Sequence, residues 1–271
     1  MKIKNLYFKP KALATILLVI MAVPMLTACQ KEKEKPKSMT DGRPVLNILF
    51  VGNEYTLSNY MPYMLQTFAE SDPTAHFKVN IEVHAANRVS LSQLWNMPGI
   101  RDILTSKNWD YIVIQPTPMW VSSDGSVHIT RKAISAWSSQ IKSLGAQPVF
   151  FETWPLEMTH PDYANPKYTK LKNYKNMFRR IKGYSKAMVE KYDLILAPVG
   201  DYWMSAIHER TGIKLYAADR SSPTMNGSFL TALILYKTLV DSSLEDIGYI
   251  AEGMTQEDKK KLIEIASKKL R

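Results

Sequence analysis

The sequence VLNILFVGNEYT occupies residues 45–56 and carries the pattern that decides the fold. Residues 45–51 are almost all apolar, which predicts a strand buried on both faces of a parallel sheet. Gly52 and Asn53 follow directly, and this pair predicts a tight turn at the carboxyl end of the strand. Open α/β sheets place their binding sites at that end. We therefore expect residues 52–56 to line the functional site.

Four further apolar runs predict strands, and helical patterns lie between them. The predicted strands are Phe77–His84, Trp109–Gln115, Pro148–Phe151 and Leu194–Val199. The predicted helices are Met61–Phe68, Ile129–Leu144, Tyr168–Tyr192, Gly227–Val240 and one beginning at Thr255. Strands that alternate with helices favour right-handed βαβ units and a sheet covered on both faces. The predicted fold class is α/β, a three-layer α/β/α sandwich around a flavodoxin-like parallel sheet of about five strands.

The N-terminus predicts a bacterial lipoprotein. Residues 1–28 combine a lysine-rich start with an apolar segment, and Leu26-Thr27-Ala28-Cys29 matches a lipobox. The apolar segment is short for the alternative, an uncleaved membrane anchor, which needs roughly 20 residues. Cys29 is the only cysteine, and we expect it to carry the lipid. Residues 29–43 then form a lysine-rich tether, and residues 44–271 form one domain.

This organisation predicts a location in the cell envelope and a membrane partner through the lipid. Gln30 follows the cysteine, which in a Gram-negative cell is typical of outer-membrane lipoproteins that face the periplasm. The net charge of +10 falls to +6 once the four signal-peptide lysines are subtracted (10 − 4). This basicity suits an anionic envelope surface, whereas export argues against nucleic acid as a partner. The sequence shows no metal-ligand spacing and no cofactor motif, and it does not predict an oligomeric state.

An ordered set of motifs resembles the SGNH/GDSL hydrolases, and one bacterial subgroup in particular. The matching segments are residues 52–56, 59–62, 109–115, 145–154, 197–200, 219–223 and 227–230. In that family the first block ends in a nucleophilic serine and the last block carries an Asp-x-x-His pair. The resemblance implies an esterase or acetyl-hydrolase in which the serine attacks an acyl carbon and the histidine takes its proton. Two backbone amides and a side-chain amide hold the oxyanion.

The reacting pair of that family is replaced in this chain. Glu54 stands at the serine position, and Ser222 stands at the histidine position. A glutamate is a poor acyl nucleophile whose charge would repel an oxyanion, and serine is not a base near neutral pH. Asp219 and Gln115 match the family, and Gln115 retains an amide that could donate to an oxyanion. The glycines of the second block are replaced in the segment 86–88.

The expected cleft residues beside these positions are Asn53, Tyr55, Arg88 and Arg220. A partly buried carboxylate needs a partner, so we predict an ion pair between Glu54 and the guanidinium of Arg88 or Arg220. Among the histidines, His84 and His160 follow predicted strands and are candidates for a substitute base. A structural or surface role is the commoner outcome for a single histidine.

Three hypotheses about function remain open. The first is a catalytically degenerate SGNH-fold lipoprotein that binds a glycan or acylated envelope ligand, or serves as an accessory protein. The second is an active hydrolase, either an esterase or a glycan hydrolase in which Glu54 and Asp219 form an acid–base pair. The third is a structural surface protein. Its sugar-stacking residues could be Trp120, Trp154 and Trp203, although these also suit the core. The lysine-rich face of residues 168–192 either binds an anionic polymer or is simply solvated.

Overall fold

The computed structural model describes residues 42–123 and 125–269. The strands are β1 (Val45–Gly52), β2 (Lys78–Ala85), β3 (Tyr111–Ile114), β4 (Gln147–Phe151) and β5 (Ile195–Ala197). They form one parallel sheet in the order β2-β1-β3-β4-β5. This order confirms the predicted flavodoxin-like sheet. It also places the carboxyl ends of β1 and β3 side by side.

Helices connect the strands and cover the sheet. They are α1 (Glu54–Leu57), α2 (Met61–Ser71), α3 (Leu91–Trp95), α4 (Ile100–Thr105), α5 (Pro118–Ser122), α6 (Val127–Ser143), α7 (Tyr174–Tyr192), α8 (Val199–His208), α9 (Met225–Val240) and α10 (Gln256–Ser267). Short 3₁₀ turns occupy Ser58–Tyr60, Pro161–Tyr163 and Pro166–Tyr168. In the described part of the chain, no helix has the length and apolar character required to cross a membrane.

The sheet separates two layers of helices because successive residues of a strand point to opposite faces. In β1, Ile48 and Phe50 pack on the side of α2, α9 and α10, whereas Leu49 and Val51 pack on the side of α3, α4, α6 and α7. All four side chains are fully buried. The three-layer α/β/α sandwich predicted from the sequence is therefore confirmed.

Helix α7 begins later than the sequence pattern predicts. Tyr168, the predicted start, lies in a 3₁₀ turn, and the helix begins only at Tyr174. The side chain of Asn173 accepts a backbone hydrogen bond from the first turn and supplies the N-cap. As a result, Lys170 and Lys172 lie in the segment before the helix and not on its face.

The predicted N-terminal features lie almost entirely outside the described residues. These features are the signal peptide, the lipid-bearing Cys29 and the tether up to residue 41.

Two predicted helix boundaries inside the domain are confirmed. Gly145 follows α6 with φ +77°, a conformation that favours glycine after a helix, and Thr255 caps α10 by accepting a bond from the Asp258 N–H.

Candidate functional site

The turn after β1 holds Glu54 at the carboxyl edge of the sheet. Asn53 is buried and caps α1, since its Oδ1 accepts a hydrogen bond from the Tyr55 N–H at 3.1 Å. Its Nδ2 donates to Thr117 Oγ1, 2.8 Å away on the segment that follows β3. These bonds fix the half-buried Glu54 as the first residue of α1.

Gln115 stabilises this turn from the neighbouring strand. Its Oε1 accepts hydrogen bonds from the Asn53 N–H and from Thr56 Oγ1, each at 3.0 Å. Its Nε2 donates to the Pro116 carbonyl at 2.7 Å, and the side chain is buried. The amide that the family resemblance assigns to the oxyanion is thus bonded to a backbone carbonyl. Gln115 acts here on the geometry of the turn.

Gly52 is required by the same packing. A Cβ at this position would lie 2.3 Å from Thr56 Oγ1 and 2.7 Å from Gln115 Oε1. We expect Gly52→Ala to lower the free energy of unfolding by roughly 1–3 kcal/mol, because these buried groups must shift. Urea denaturation followed by circular dichroism measures this loss. The matched control is Gly183→Ala in α7, where an added Cβ meets no atom within 4 Å and should stabilise the helix by about 0.5–1 kcal/mol. A Gly52→Ala protein as stable as this control would contradict the argument.

The Glu54 carboxylate is bonded to a backbone amide. Its Oε2 accepts a hydrogen bond from the Arg88 N–H at 2.6 Å. Arg88 has φ +58°, in the left-handed region that glycine adopts most readily. This conformation fits a position where the family resemblance implies a second-block glycine. The positive φ thus directs the Arg88 N–H toward the turn that holds Glu54.

The predicted ion pair of Glu54 is wrong. Among the described residues, neither the Arg88 nor the Arg220 guanidinium forms an ion pair with this carboxylate. The turn at Arg88 directs its N–H to Glu54 and leaves its side chain exposed. Arg220 instead donates from Nη1 to the Thr159 carbonyl at 2.8 Å. A single hydrogen bond from a backbone N–H thus takes the place of the expected ion pair.

Asp219 is bonded within its own loop. It accepts hydrogen bonds from the N–H groups of Ser221 and Ser222, at 3.0 and 2.9 Å, and from Ser222 Oγ at 2.5 Å. Burial raises the pKa of Asp219, but the bonds from Ser222 and Ser221 outweigh it and hold the pKa below its usual value. Asp219 is therefore ionised near neutral pH. An ionised carboxylate has no proton to donate, so Asp219 is unsuited to act as the general acid of a carboxylate pair.

The loop that contains Asp219 closes against α1. The Tyr55 hydroxyl contacts Ser221 Oγ, and Trp154 Nε1 donates to the Ser221 carbonyl at 3.0 Å. Burial raises the pKa of Tyr55 to about 12, so this phenol is neutral. The structure thereby brings the first block, the segment after β4 and the last block together. Nothing in the sequence around Tyr55 or Ser221 indicated this contact.

The two candidate substitute bases, His160 and His84, differ in their contacts. His160 Nδ1 accepts a hydrogen bond from the Asp162 N–H at 3.2 Å, within a 3₁₀ turn. His84 lies on β2 opposite Val51, and its Nε2 is buried without a hydrogen-bond partner among the described residues. Burial lowers the pKa of His84. Within the same residues, no group of three or more side chains has the composition of a metal site.

Solved structures share this architecture. One similar structure is a protein from Slackia heliotrinireducens described as an SGNH hydrolase, which is 26% identical with a TM-score of 0.59 over 72% of this chain and 98% of that one. The chain has the SGNH/GDSL hydrolase fold. The resemblance predicted from the motifs is confirmed at this level.

Two further structures with this fold are more distant in sequence. A DUF4886 family protein from Bacteroides uniformis is 16% identical, with a TM-score of 0.62 over 82% of this chain and 93% of that one. The acetylxylan esterase Axe2 from Geobacillus stearothermophilus, in a catalytic mutant form, is 13% identical with a TM-score of 0.52 over 77% and 96%. No protein-family model matches the chain, and no curated protein sequence matches it significantly.

Proposed function

We propose that this protein is an envelope-anchored SGNH-fold lipoprotein whose hydrolase-like centre does not perform acyl transfer. It acts as a ligand-binding or accessory protein. The hydrogen bond between Glu54 and the Arg88 amide carries the proposal. Glu54 occupies the position of the nucleophile, and its carboxylate takes the amide donor that an acyl oxyanion would need. The same negative charge would repel that oxyanion.

The last block supports the proposal independently. Ser222 stands where the family resemblance implies the histidine, and its hydroxyl donates to Asp219 at 2.5 Å. The aspartate thus keeps a partner, but that partner has no basic nitrogen to take a proton. The lipobox that ends at Cys29 supports anchoring in the envelope, with the domain held near the membrane by the lysine-rich tether.

Ester hydrolysis tests the proposal. We expect residues 30–271 to show no turnover of p-nitrophenyl acetate or acetylated xylooligosaccharides above the buffer rate. We expect Glu54→Ser/Ser222→His to hydrolyse the nitrophenyl ester about 10²-fold faster than Glu54→Ala/Ser222→His, because only the first variant pairs a nucleophile with a base.

Two results would contradict these expectations. Wild-type turnover that Glu54→Ala abolishes would make Glu54 a catalytic carboxylate and reject the proposal. Equal rates for the two double variants, with native circular dichroism, would show that positions 54 and 222 do not form the expected pair. Glu54→Ala alone serves as the control for loss of the carboxylate without a new nucleophile.

A further inference from the structure

A concave site lies outside the family positions. It is a cavity of about 550 Å³ between α5 and the segment that precedes α7. Thr117, the residue before α5, accepts the hydrogen bond from Asn53, so α5 begins at the same edge of the sheet as the Glu54 turn. The cavity is nevertheless built from other residues. Its lining includes Trp120, Ser126, Lys167, Tyr168 and Thr169.

The lining combines aromatic rings, hydroxyl groups and two lysines, Lys167 and Lys170. Trp120 and Tyr168 are half-buried, so each ring keeps an accessible part. Lys167 is exposed, and its Nζ lies 5.3 Å from the centre of the Tyr168 ring. Aromatic rings suit the C–H faces of a sugar, hydroxyl groups suit its hydroxyls, and an ammonium suits a carboxylate. A sugar that carries an acid group would use all three kinds of contact.

Exposed cations also lie along α7. Residues 163–189 contain eight lysines and arginines and no aspartate or glutamate. Lys175, Arg179, Lys182 and Lys186 are exposed at three- and four-residue spacing, which places them on one face of the helix. Lys182 and Lys186 each contact one carboxylate, whereas no acidic partner is found for Lys175 or Arg179 within the described residues. Lys182 reaches Asp201 on α8, whereas Arg180 reaches the end of α5, so this face is not continuous with the cavity.

We propose that the cavity binds one acidic sugar unit of an oligosaccharide, with the carboxylate of that unit at Lys167. This inference gives the ligand class of the proposed binding function and rests on it. The cations alone would also attract an anionic membrane surface. A headgroup held only by charge would leave Trp120 and Tyr168 without a role, so the lining favours the saccharide. Binding is measured without a catalytic readout, so a failure of this inference is distinguished from a failure of the proposed function, which ester hydrolysis tests.

Isothermal titration calorimetry with hexagalacturonate and its fully methyl-esterified form tests the inference. We expect the acid to bind at least about tenfold more tightly than the ester, since only the acid has a charge for Lys167. Lys167→Gln should weaken binding of the acid about fivefold and leave the ester unchanged. Trp120→Ala should weaken both about tenfold, and Trp120→Phe should restore most of the loss because a ring is retained.

The matched charge control is Lys260→Gln, an exposed lysine on α10 in the opposite helix layer. We expect it to bind the acid as the wild type does. Absence of binding, equal affinity for acid and ester, or an equal loss in Lys260→Gln and Lys167→Gln would each overturn the inference. Binding to phosphatidylglycerol vesicles that Lys167→Gln abolishes, without binding to the oligosaccharide, would replace it with a membrane contact.

Discussion

Trp203→Ala is expected to lower the free energy of unfolding by about 3–5 kcal/mol. Trp203 lies on α8 and is fully buried, and its ring stacks on Trp154 with centroids 3.9 Å apart and planes 4° apart. Its Nε1 donates to Thr231 Oγ1 on α9 at 3.1 Å. Truncation would remove the ring contacts, leave a large cavity and break this bond. All of these contacts lie in the core between the sheet and the layer that contains α9, so their losses add at one place.

The same truncation should loosen the candidate site. Trp154 packs edge-on against Tyr55, with centroids 5.3 Å apart, and donates to the Ser221 carbonyl. Loss of the Trp203 ring would therefore remove the support of Trp154, which contacts both the first block and the last block.

Guanidinium denaturation of the wild type, Trp203→Ala and Trp203→Phe measures the effect. The phenylalanine variant keeps an aromatic ring but not the indole N–H, and it should lose less than half as much. A loss below about 1 kcal/mol for Trp203→Ala would show that the stacked pair contributes little to stability.

The sheet could be predicted from the sequence because its signal is local. Each strand is a short apolar run, and in β1 the residues of both faces are buried, so the pattern does not depend on distant neighbours. The role of Trp154 and Trp203 was left open, since an aromatic residue suits both a core and a sugar-binding surface. The structure places Trp154 and Trp203 in the core, because both are buried, whereas Trp120 lines a cavity.

The site was only partly predictable. Glu54 and Ser222 were predicted as site positions because motif spacing marks positions in the chain, and the structure brings their two blocks into contact through Tyr55 and Ser221. The Arg88 donor is a backbone amide, and no side-chain pattern encodes its direction. The sole signal was the missing second-block glycine. The Tyr55–Ser221 contact joins residues 166 positions apart, which local periodicity cannot reveal.

Helix α7 was predicted too long because the lysines before Asn173 continue the composition of the helix, although their backbone is not helical.

Glu152 was not singled out in the sequence, yet it gives the largest expected pH effect. It follows β4 and is 1% exposed, and neither carboxyl oxygen has a hydrogen-bond partner among the described residues. The nearby Lys182 pairs with Asp201 at 2.6 Å. Burial, followed by the negative charge of Asp201, outweighs the lowering effects of Ser185 and Lys182 and raises the pKa of Glu152 to about 8 from an ordinary value of 4.5.

The sign of the effect follows from proton binding. Below pH 4.5 the carboxyl is protonated in both the folded and the unfolded chain, so its contribution to stability is fully present. Between this pH and about 8 the folded chain keeps the proton and the unfolded chain releases it. The free energy of unfolding therefore falls as pH rises through this window, by about 1.4 kcal/mol per unit at most. The total loss from this one group is about 3–5 kcal/mol.

Glu152→Gln should remove this loss, because an amide of similar size stays neutral at every pH. We expect its free energy of unfolding to exceed that of the wild type by about 3–5 kcal/mol at a pH of about 8.5, and the difference to become small at a pH of about 4.5. Guanidinium denaturation across this range measures both curves, with Glu252→Gln as a control at an exposed position. Parallel curves for wild type and Glu152→Gln would show that Glu152 has an ordinary pKa. A variant less stable than the wild type at high pH would show that the ionised carboxylate has partners, and that the folded chain holds a charge where we expect a proton.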